Sequence, residues 1–68
     1  MPPSSRDALE SMVDAYGLQG VLINLSLICG EKSIHISHNW QDGPLAELWA
    51  AASRRLDTVA SFKLVTSI

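Results

Sequence analysis

A single cysteine, Cys29, stands in 68 residues, so no internal disulfide can staple the chain and the paired-cysteine spacing of a zinc finger is missing. Positive charge is scarce too: Arg6, Lys32, Arg54, Arg55 and Lys63 are the five basic residues against seven acidic ones, for a net charge of −2. A protein that grips nucleic acid needs a basic face to neutralise phosphates and release their counterions, and only Arg54-Arg55 resembles the start of one. The four glycines are dispersed at positions 17, 20, 30 and 43, which leaves no phosphate-cradling loop. The apolar run VLINLSLIC, residues 21–29, is too short to span a bilayer as a helix. Asp7, Glu10 and Asp14 precede it against the single Arg6, opposite in sign to a secretory leader. The expectation is a cytoplasmic protein with a reduced thiol and no membrane segment.

What the chain does have is apolar residues, 47% of the total. A domain this small buries only about 60% of the surface that its unfolded chain exposes, so its own core is marginal. With no disulfide framework, the remaining common source of stability is association. A homo-oligomer is expected, most simply a twofold dimer.

Two helices are legible. Ser4 followed by Asp7 fits a capping pair, after Pro2-Pro3. Leu9, Met12, Val13 and Tyr16 then recur at i, i+3, i+4 and i+7, one apolar face, and Gly17 suits a left-handed stop. Further on, Asp42-Gly43-Pro44 supplies a cap and a proline for the first turn. Leu45, Leu48, Trp49, Ala52, Leu56 and Val59 follow as a stripe, read as core. Ala46, Ala50 and Ser53 form a second strip, small enough for another backbone to approach closely. The tail SFKLVTSI either extends this helix or frays.

Residues 21–37 admit two conformations. Ile23, Leu25 and Leu27 alternate with Asn24 and Ser26, and Ile34 and Ile36 with His35 and Ser37, as in a β-hairpin turning at Gly30-Glu31-Lys32. As a helix, Val21, Leu22, Leu25, Ile28 and Cys29 share one face. A wider pattern bears on the choice: Tyr16-Gly17-Leu18, Ile28-Cys29, Glu31-Lys32, His35, Asn39-Trp40-Gln41-Asp42, Ala46 and Trp49. In this the chain resembles a group of small bacterial and phage proteins with a YGL…IC-x-EK-x-x-H-x-x-x-NWQD…A-x-x-W pattern. The resemblance spans about half of the chain and implies a helical middle segment; it implies no activity.

The fold expected is therefore all-α: three helices at about residues 5–16, 19–38 and 43–60, the last two forming an antiparallel helical hairpin. Residues 1–4 would be an N-terminal extension, 5–60 one domain and 61–68 a tail. Val21, Leu22, Leu25, Ile28, Trp40 and Trp49 are the expected interface, and Ser4 and Asp42 the structural caps. No residues are expected to be catalytic and no cofactor is expected; Cys29 falls on the packing face, away from His35. The one constellation with ligand chemistry is Glu31, His35 and His38, which a continuous α-helix would gather on one face as carboxylate and imidazoles suited to a divalent metal. The leading functional expectation is a small, non-enzymatic, oligomeric interaction module, its partners a second copy and possibly another protein. A metal- or small-ligand-binding protein using the histidine face is second, and a nucleic-acid regulator third.

Overall fold

The computed structural model describes residues 3–68. Every regular element among these residues is helical, so the alternation at 21–37 does not make strands. The first element, α1, runs from Pro3 to His35 and is broken at Gly17, whose φ of 78° and ψ of 158° lie outside the helical region. The break separates an arm, residues 3–16, from a body, residues 18–35. Only glycine adopts that backbone conformation without cost, which is why the bend falls there. Ser4 lies inside α1 and is not its cap.

After His35 the backbone widens into a π turn, Ile36–Trp40, and Gln41 closes it in the left-handed region at φ 55°. The expected helix through residue 38 thus ends three residues early as an α-helix. Asn39 secures the corner: its Nδ2 donates to the His35 carbonyl at 3.0 Å. The second helix, α2, spans Gly43–Ala60. Its cap is the one the sequence indicates, since the Asp42 carboxylate accepts the Leu45 N–H at 3.0 Å. Asp42→Ala should therefore lower stability by about 1 kcal/mol, read from chemical denaturation; an unchanged midpoint would remove the cap from the account. A short α3, Lys63–Thr66, follows the break at Ser61 and Phe62 and tucks Val65 into the core.

The body of α1 and α2 meet along a seam of small residues. Ser26 Oγ donates to the Ser53 carbonyl at 2.9 Å, and Ser53 Oγ donates back to the Ser26 carbonyl at 2.9 Å. Seven residues earlier in α1, Gln19 Nε2 donates to the Ala60 carbonyl at 3.0 Å. Seven residues later, Ser33 Oγ donates to the Ala46 carbonyl at 2.7 Å. The three pairings step in opposite senses along the two helices, in the seven-residue rhythm of supercoiled pairs. Small side chains let the backbones approach, and the hydroxyls find carbonyls within that narrow gap.

The core this produces is thin. Among the described residues the buried apolar side chains are Cys29, Ala46, Ala60 and Val65, and Ser26, 2% exposed, is the buried polar one. Leu45, Leu48 and Val59, read from the sequence as core, stay exposed because the small strip faces α1 in their place. The Cα radius of gyration is 13.8 Å, against about 11 Å for a compact chain of this length. The molecule measures 38 × 30 × 15 Å. A closed three-helix bundle would have two short dimensions; this molecule has a single short one.

Candidate interaction surface

With the seam occupied by small residues, many large apolar side chains are left on the outside, and two groups of them line apolar concavities. The first is the elbow at Gly17. Leu9, Met12 and Tyr16 on the arm face Val21, Leu25 and Ile28 on the body across a cleft of about 290 Å³. Its one polar lining residue, Asn24, donates Nδ2 to its own helix at the Gly20 carbonyl, 2.9 Å away. Every arm residue from Ser4 to Met12 is exposed. The second is a shallow groove of about 480 Å³ on the outer flank of α2, formed by Leu48, Ala51, Ala52, Leu56 and Val59, with Arg55 in its lining.

The expected interface residues divide between these surroundings. Val21, Leu25 and Ile28 line the elbow cleft. Leu22 is half-buried, beside the seam. Trp40, 70% exposed, projects from the π corner. Trp49 is half-buried, with the Lys32 ammonium 5.5 Å above its ring centroid, a cation–π contact that spacing alone did not disclose. Cys29 is a buried free thiol.

The histidine face is not assembled. Among the described residues no three His, Cys, Asp or Glu side chains lie close enough together to hold a metal ion. The expectation for Glu31, His35 and His38 assumed an advance of about 100° per residue through position 38. The π turn begins at Ile36 and advances less per residue, which rotates His38 off the shared face. His35 is further engaged by Asn39, whose Nδ2 lies 3.2 Å from its Nδ1. Glu31 and His35 border a shallow, open depression with Ile28 and Lys32. Nor do the two arginines form a basic patch of their own, since Arg54 pairs with Glu47 at 2.8 Å in the open.

By length and composition α1 is apolar enough to cross a membrane, with an 18-residue stretch of mean hydropathy 1.4 within Ser4–Trp40. The bend at Gly17 and the charges at Glu31 and Lys32 leave only residues 18–30 both straight and uncharged. That is about 20 Å of helix, against about 30 Å of hydrocarbon in a bilayer. Comparison with protein-family models, with characterised proteins and with solved structures finds no match to the chain.

Proposed function

We propose that the chain is a small, non-enzymatic, self-associating interaction module, a dimer built on an antiparallel hairpin of the α1 body and α2. The observation that carries this is its surface. The chain exposes 5205 Å², whereas a globular monomer of its mass exposes about 4,200 Å². The surplus of roughly 1,000 Å² is close to the ~800 Å² that each partner of a standard stable interface covers. Large apolar side chains stand exposed on that surface, Tyr16, Trp40 and Leu48 among them, and in soluble proteins such exposure marks a contact surface. A second copy is the partner always at hand, and twofold pairing covers the same patch on both chains.

The α2 groove is a separate surface, and we assign it to another protein. Apolar residues recurring on one flank of a helix, with Arg55 among them, suit an amphipathic helix that carries a carboxylate opposite the arginine. The module then acts as an adaptor. We place it in the cytoplasm, where the thiol of Cys29 stays reduced. The motif running from Tyr16 to Trp49 supports kinship with the small bacterial and phage proteins that share it.

Sedimentation equilibrium tests self-association directly. The expected result is a dimer, with a Tm that rises as protein concentration increases, because only the folded chain associates. A monomer at all concentrations, with a concentration-independent Tm, would overturn the proposal.

A further inference from the structure

The elbow at Gly17 leaves an amphipathic helix and a cleft both unsatisfied, and they match each other. We infer that the arm of one protomer docks in the elbow cleft of a second copy, reciprocally, so that the two bent helices clasp. This rests on the self-association proposed above and says which surfaces carry it.

Three observations lead there. The connection between arm and body is one residue long, whereas helices that pack side by side are usually joined by about 2–8 residues. One residue bends the chain without giving the arm slack to lie flush on the body, and the cleft is the space that remains. Second, the arm is only partly covered by its own chain: Val13 is half-buried and Leu9 is 36% exposed. Its residues from Ser4 to Met12 are all exposed, Tyr16 is 71% exposed, and no side-chain hydrogen bond or ion pair ties described residues 4–16 to the rest of the molecule. A 14-residue helix is marginal in water without a surface to cover its apolar face. Third, the cleft's size and chemistry suit the arm's own side chains. A volume of about 290 Å³ with apolar walls is too small for a whole helix but accepts one or two large side chains such as Met12 and Leu9. An apolar stripe entering an apolar notch on an identical chain is self-complementary, as a twofold contact requires.

Disulfide trapping tests the geometry. In a Cys29→Ala background, one chain carries Met12→Cys and a second carries Leu25→Cys. The two are mixed, oxidised gently and analysed by non-reducing electrophoresis and native mass spectrometry. The expected product is a covalent heterodimer joining position 12 of one chain to position 25 of the other. A non-covalent dimer that forms no such link would overturn the clasp and leave self-association standing; a monomer would overturn both. Met12→Glu, on a side chain that is half exposed in the single chain, supplies an independent measure. It should weaken dimerisation at least tenfold while helical circular dichroism is retained. Unchanged dimerisation would count against the clasp.

Discussion

Ser26→Leu should cost the protein most of its stability, whereas Ser26→Ala should cost little. The serine is 2% exposed and faces Ser53 at a hydroxyl–hydroxyl distance of 3.0 Å, so the gap between the helices is set by the smallest side chains. Leucine adds bulk that no rotamer can place without pushing α2 away, and overpacking of this kind costs about 1–3 kcal/mol. Displacing α2 also stretches the Gln19–Ala60 and Ser33–Ala46 hydrogen bonds, seven residues to either side. Alanine removes one of the two reciprocal bonds but leaves Ser53 Oγ donating to the carbonyl at position 26. The loss there should be about 1 kcal/mol. Chemical denaturation of the two variants side by side checks the contrast. If leucine proves as mild as alanine, the close seam is not what holds the helices together.

Gly17→Ala should change the shape of the molecule and its assembly together. No atom lies within 4 Å of where the new Cβ would sit, so space is not the obstacle. The obstacle is the backbone, because φ 78° with ψ 158° is open essentially to glycine alone, and holding another residue there costs about 1–3 kcal/mol. An alanine is instead a strong helix former, and the relaxed outcome is a straight α1 of 33 residues, about 50 Å long. Small-angle scattering should then report a longer particle. The elbow cleft no longer exists in that shape, so dimerisation through it should fall at least tenfold in sedimentation. A variant with unchanged dimensions and unchanged association would show that the bend does not depend on glycine.

Much of the fold was legible because punctuation residues are explicit. Gly17 ends the first helical run, and Asp42-Gly43-Pro44 opens α2 with the carboxylate–amide bond that such a cap implies. The middle segment was harder for a physical reason. Periodicity arguments take the large apolar residues as the buried set, and in the α1 body those residues, Ile23, Leu25, Leu27 and Ile28, are exposed. The side that packs on α2 carries Ser26, Cys29 and Ser33, which have little weight in a hydropathy pattern. The strip Ala46, Ala50 and Ser53 did signal close approach, and Ser53 meets Ser26 there. The metal-ligand face depended on unbroken α-helical phase through His38, and nothing in ISHNW marks it as a wider turn. The elbow cleft joins two segments whose apolar residues can each be read from the sequence, but the angle between the segments cannot.

The π turn at Ile36–Trp40 stores one residue more than an α-helical path would use. That surplus works as a phase adjuster between two helices with different wheels. It lets the chain leave α1 with Ser33 on the seam and enter α2 with Ala46 on the same seam, while Trp40 is turned outward. Removing one residue from the corner would make the helix regular and rotate everything downstream, presenting α2 to its neighbour by a different edge. The length of this corner, more than any side chain on it, thus decides which surface the molecule offers to the outside.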